Sequence, residues 1–126
     1  MNNAPQPLIF IGGFYTLAFA LFHLMFWKIF RWKEDLKSLT FTNRGVMQIL
    51  NFCLTFVFFV VAYLSFFHSA ELIETNLGRT ILAAISLFWF LRMIEQVLFF
   101  GIKARLSLGF TITFLVGSLI YLVPLL

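Results

Sequence analysis

VMQILNFCLTFVFFVVAYLSFF, from Val46 to Phe67, contains no Asp, Glu, Lys or Arg. A helix rises about 1.5 Å per residue, so a run of about 20 residues reaches across a hydrocarbon core of about 30 Å. A strand barrel would use runs of about 10 residues that alternate apolar and polar. This stretch does not alternate. It reads as one membrane-spanning helix.

Three more runs of similar length flank it: Leu8 to Phe30, Ile81 to Ile102 and Leu106 to Leu126. The expectation is an all-α, four-helix transmembrane bundle with short loops, forming one domain over residues 1–126. Composition agrees. The chain is 62% hydrophobic and 11% charged, whereas a soluble domain carries about 25% charge. Lipid must therefore cover part of its surface. Nineteen residues are Phe, a side chain with no polar group to satisfy in hydrocarbon.

Punctuation falls between the runs. Asn43 is expected to cap the second helix and Asn76 the third. Gly101 stands where a C-terminal glycine cap belongs. Pro5 and Pro7 precede the first helix, and Pro124 is placed to end the fourth early. Ala18-Phe19-Ala20 mimics a signal-peptide cleavage site, but no Lys or Arg precedes it and cleavage would halve a long apolar run, so the run is kept as a helix.

Charge sets the expected orientation. Loops one and three hold Lys28, Arg31, Lys33, Lys37, Arg44, Lys103 and Arg105, while loop two holds only Arg79. Positive residues favour the cytoplasmic side. Both termini are then outside, in the periplasm if the membrane is a bacterial inner membrane. The same topology accounts for the net charge of +4 without a nucleic-acid partner. Within the first loop, Ile29, Trp32, Leu36 and Leu39 recur at helical spacing among charged residues. That pattern predicts an interfacial amphipathic segment anchored by Trp27 and Trp32. The competing reading is a solvated extension of the first helix whose lysines snorkel.

Helices in lipid pack through small and polar residues. Four stripes are expected to do so. They are Gly12 or Gly13, Thr16, Ala20, His23 and Trp27 on the first run, and Gln48, Asn51, Thr55, Phe58, Ala62, Ser65 and Ser69 on the second. Ala84, Phe88, Arg92 and Glu95 form the third, and Gly109, Thr113, Gly117 and Tyr121 the fourth.

The ionisable residues inside the runs carry the most information, because a charge at mid-membrane costs about 3 kcal/mol on insertion scales. Counting about 1.5 Å per residue from the cytoplasmic ends puts His23 about 10 Å deep, Asn51 about 8 Å, Glu95 and Gln96 about 9–11 Å and Arg92 about 15 Å. His23, Gln48, Asn51, Arg92, Glu95 and Gln96 thus fall in one layer, a candidate polar cluster. His68 lies near the other face and cannot join it. Cys53 lacks the spacing of a redox, zinc or haem motif, and His23, Glu95 and Cys53 make a poor metal set. No cofactor and no metal are expected.

Three functions fit such a cluster. The first is a non-catalytic accessory or self-assembling membrane component, a homo-oligomer or complex subunit whose polar residues fix helix register, with Arg92 pairing Glu95. The second is a proton- or ion-linked transporter or channel in which Glu95 titrates and His23 relays. The third is an intramembrane lipid-modifying enzyme with Glu95 or His23 as acid or base and Arg92 holding an anionic headgroup. No nucleophile motif, phosphate loop or metal box supports the third. Small multidrug exporters share the four-helix plan but carry an acidic residue in the first helix, which is absent here.

Overall fold

The computed structural model describes residues 5–126 and is all α-helical, a four-helix transmembrane bundle. Its elements are α1 (Pro5–Leu24), α2 (Phe26–Ile29), α3 (Trp32–Asp35), α4 (Phe41–Phe67), α5 (Ser69–Glu74), α6 (Asn76–Phe100) and α7 (Arg105–Leu122). Single 3-10 turns follow α3 at Leu36–Ser38 and α7 at Val123–Leu125. Four of these helices, α1, α4, α6 and α7, are long and apolar enough to cross a membrane.

Local chemistry moves several helix ends. Pro7 lies inside the first turn of α1 instead of before it. A first-turn N–H has no helical acceptor, so a proline there loses no bond. Thr40, not Asn43, caps α4: its Oγ1 accepts the Asn43 N–H at 3.2 Å. The helix therefore starts in the polar stretch ahead of the apolar run. Likewise Thr75, not Asn76, caps α6, accepting the Gly78 N–H at 2.9 Å. Gly101 does terminate α6, at φ 73, a backbone region that disfavours other side chains. Pro124 sits in the 3-10 turn that closes α7 after Leu122.

Contacts divide the chain into two compact units, one comprising Gly13–Tyr63, the other the residues up to Gly12 with Leu64–Leu126.

In the Gly13–Tyr63 unit, α1 and α4 meet along the small and polar stripes. Thr16, Ala20, Asn51, Thr55, Phe58 and Ala62 are buried, and Phe19 packs on Phe58 with ring centroids 6.3 Å apart. The connection between them resolves into two short helical turns. Arg31 adopts a left-handed conformation, φ 54, between α2 and α3, which re-aims the chain. Trp32 and Leu36 are consequently buried, at 7% and 5% exposure, while Ile29 stays at 44%. Trp32 packs edge-on to Phe26 and Trp27, so it anchors the segment to protein.

In the second unit, α6 and α7 form a hairpin. Its buried line on α6 is Gly78, Leu82, Ile85, Ser86, Trp89 and Gln96. Ala84, Phe88 and Glu95, expected on the packing face, are exposed. On α7 the line is Ser107, Phe114, Gly117, Ser118, Ile120 and Tyr121. Gly117 and Tyr121 lie on the expected stripe. Gly109 is exposed with nothing within 4 Å of where a Cβ would stand, and Thr113 spends its hydroxyl on the Gly109 carbonyl of its own helix. The face is set instead by serines that let the backbones approach. Ser86 Oγ donates to the Ser118 carbonyl at 2.8 Å and Ser118 Oγ to the Ser86 carbonyl at 3.0 Å. Above that pair Trp89 stacks on Phe114 at 5.9 Å. Gly12 is pressed against Tyr121, whose hydroxyl shares a hydrogen bond with Ser65 at 2.9 Å.

Candidate functional site

The residues of the expected polar cluster fall into two sets, His23, Gln48 and Asn51 in the Gly13–Tyr63 unit and Arg92, Glu95 and Gln96 in the other.

The first set is a ladder between α1 and α4. His23 lies in the last turn of α1, where backbone carbonyls lack helical donors. Asn51 serves both the carbonyl and the ring of His23. Its Nδ2 donates to the His23 carbonyl at 3.0 Å and its Oδ1 accepts from His23 Nδ1 at 2.7 Å. Because the amide nitrogen is committed to a carbonyl, the amide oxygen faces the ring, and the imidazole proton is assigned to Nδ1. The ring is also walled by aromatics, with Phe26 at 4.2 Å and Phe58 at 5.2 Å between centroids. One turn toward the start of α4, Gln48 repeats the device: its Oε1 accepts from Trp27 Nε1 at 3.0 Å while its Nε2 donates to the Arg44 carbonyl at 3.1 Å. One turn the other way, Thr55 donates to the Asn51 carbonyl at 2.7 Å. Trp27, expected as an interfacial anchor, is thus half-buried and hydrogen-bonded to α4.

The second set behaves differently. Arg92 does not form an ion pair with Glu95. Its guanidinium lies 4.6 Å above the Phe114 ring and donates to Gln96 Oε1 at 3.2 Å. Gln96 is buried, and its Nε2 donates to Ser107 Oγ at 3.0 Å. Ser107 in turn donates to the Gly101 carbonyl at 2.6 Å. The chain Arg92–Gln96–Ser107–Gly101 therefore fastens the α6–α7 turn. Glu95 stands on the exposed side of α6, with Leu91, Leu98 and Phe99 exposed around it. It lies within electrostatic reach of Arg92 but makes no hydrogen bond among the described residues.

Elsewhere, His68 Nδ1 bonds Glu71 Oε1 at 2.8 Å, near the junction of α4 and α5. Cys53 is exposed as a free thiol. Every buried side-chain nitrogen and oxygen among the described residues has a partner. Ser107, Ser86 and Ser118 were not singled out by sequence reasoning. A serine inside an apolar run gives no cue to its partner, though Ser86 and Ser118 each stand about mid-run on helices joined by a short loop, which is the signal that could have paired them.

Neither known protein families nor curated proteins nor solved structures give a match to this chain.

Proposed function

We propose that this chain is a non-catalytic, self-assembling component of a membrane, with Glu95 as the contact that requires a neighbour. The observation that carries the reading is the outward position of Glu95. It lies five residues before the end of α6 at Phe100, about 8 Å along the helix axis. A carboxylate that deep against lipid costs up to about 3 kcal/mol, so such groups usually meet an opposite charge or water. Arg92, the cation one turn away on the same helix, is turned toward Phe114 and Gln96. Lys103 and Arg105 at the same end of the hairpin are exposed and make no ion pair or hydrogen bond among the described residues. In an assembly of copies, Glu95 of one chain meets Lys103 or Arg105 of the next, and the exposed Leu and Phe of α6 pack around the pair. Helix association in lipid gains from such charge and van der Waals contact.

The membrane is a bacterial inner membrane in this reading, with both termini outside and the Lys- and Arg-rich loops in the cytoplasm. The bilayer and further copies of the chain are its partners.

The test labels separate batches of the chain with donor and acceptor dyes and reads energy transfer in liposomes as lipid is added. Transfer that persists on dilution, and falls about tenfold in apparent association for Glu95→Leu, supports the proposal. A chain that stays monomeric and carries a proton flux abolished by Glu95→Gln overturns it in favour of an ion-linked transporter.

A further inference from the structure

The connection between α1 and α4 holds a cavity that the assembly reading does not use. Its volume is about 590 Å³ and its walls include Trp27, Trp32, Lys28, Lys33, Lys37 and Arg44. That size lies within the range of small-molecule sites, about 300–1,000 Å³. Four cations line it and no carboxylate does.

The folding of the loop explains how the cations come together. Arg31 turns the chain by its left-handed backbone, and Trp32 and Leu36 bury themselves beneath. The 3-10 turn then ends over α4, where Arg44 holds it. Arg44 Nε donates to the Leu36 carbonyl at 3.0 Å and its NH2 group to the Leu39 carbonyl at 3.2 Å. Neutral carbonyls fix the Arg44 side chain without cancelling its charge. The acids on this segment are Glu34, paired with Arg31 at 2.8 Å, and Asp35, and neither carboxylate lines the cavity, against four cations that do. Lys28, Lys33 and Lys37 are exposed, and their ammonium groups make no hydrogen bond or ion pair among the described residues. The local field at the cavity is therefore positive.

Two indoles share the walls with those ammonium groups. Trp27 is fixed by Gln48 and by Trp32, 5.0 Å away between centroids. Indoles settle at the headgroup level of a bilayer, and the cavity lies between the end of one membrane-length helix and the start of another. A ligand suited to all three features has a phosphate for the lysines, a polar linker that fits a few hundred Å³ and an apolar tail that continues past the indoles.

We propose that this cavity binds the headgroup of an anionic phospholipid. Lys28, Lys33 and Lys37 neutralise the phosphate, Arg44 adds fixed positive potential, and Trp27 and Trp32 contact the glycerol and upper acyl region. The site rests on the loop between α1 and α4 and not on Glu95, so it stands or falls apart from the assembly.

The experiment reconstitutes the full chain in phosphatidylcholine nanodiscs and reads tryptophan fluorescence as a minor fraction of brominated lipid is included. Brominated phosphatidylglycerol should quench several-fold more than brominated phosphatidylcholine. Lys33→Gln with Lys37→Gln should weaken that preference by about fivefold per lysine, the value of one cation near an anionic surface. Both lysines are exposed, so helicity by circular dichroism should not change. The control pair Lys103→Gln with Arg105→Gln, read at a lipid excess that keeps every chain alone in its nanodisc, removes the same charge outside the cavity and should leave the preference intact. Equal quenching by the two lipids overturns the proposal. So does an equal loss with the control pair, which would make the attraction a general one of positive loops. Glycerol phosphate or inorganic phosphate in solution should compete weakly. Full displacement by either at millimolar concentration would assign the site to a soluble phosphate and overturn the lipid assignment.

Discussion

Both polar networks satisfy costly groups inside apolar helices, but they do so at different distances along the chain. The His23–Asn51 clamp joins residues 28 apart in sequence, on helices separated by a folded loop. The Gln96–Ser107 bond joins residues 11 apart across one turn. In the first case one amide, that of Asn51, serves both the ring and the carbonyl of His23, so losing it breaks two bonds between α1 and α4 at once. In the second the hairpin is already held by the Ser86–Ser118 exchange and by Trp89 on Phe114, so one bond matters less. Polar residues inside a membrane thus do unequal structural work, according to what else joins the helices they connect.

That comparison can be broken or sharpened by substitution. The largest effect is expected at Gly78, where a Cβ would run into the Glu71 carbonyl and Leu72 backbone. Backbone atoms cannot step aside as a flexible side chain can. Gly78→Ala should lower stability by about 3 kcal/mol, the upper end for overpacking, measured by denaturant unfolding in micelles. Next is Asn51→Leu, which removes both bonds of the clamp and should cost about 2 kcal/mol. A cycle with His23→Phe should return a coupling of about 1 kcal/mol, and additive effects would show that the clamp couples nothing. Gln96→Leu should cost about 1 kcal/mol, because Ser107 keeps its bond to the Gly101 carbonyl. If Gln96→Leu proves worse than Asn51→Leu, the ranking of the two networks is reversed. The smallest change in stability, within about 0.5 kcal/mol, is expected for Glu95→Gln, although the same variant should weaken association between copies.

The sequence is legible where spacing and burial agree. On the second run the stripe from Asn51 through Thr55, Phe58, Ala62 and Ser65 lies buried along its whole length, since small and polar residues recur there with no competing charge. On the third run Arg92 and Glu95 misled the reading. Two opposite charges three residues apart look like a pair that must face inward. Gln96, one position on and rotated by about 100°, takes the inward place, and Arg92 finds Phe114 and Gln96. Which of two adjacent polar residues turns inward depends on the neighbouring helix, and Ser107 is what decides it. The folded loop between α1 and α4 was legible only as an amphipathic pattern. The left-handed Arg31 that breaks it has no sequence cue, because Arg, unlike Gly or Asn, seldom adopts that backbone.

The opposed placement of Glu95 and Gln96 is the point on which the account turns. Single cysteines at Glu95→Cys and Gln96→Cys, each in a Cys53→Ser background, can be probed in nanodiscs with a lipid-soluble maleimide. The account predicts fast labelling at 95, which is exposed, and protection at 96, which is buried against α7. Labelling at 96 as fast as at 95 would contradict it.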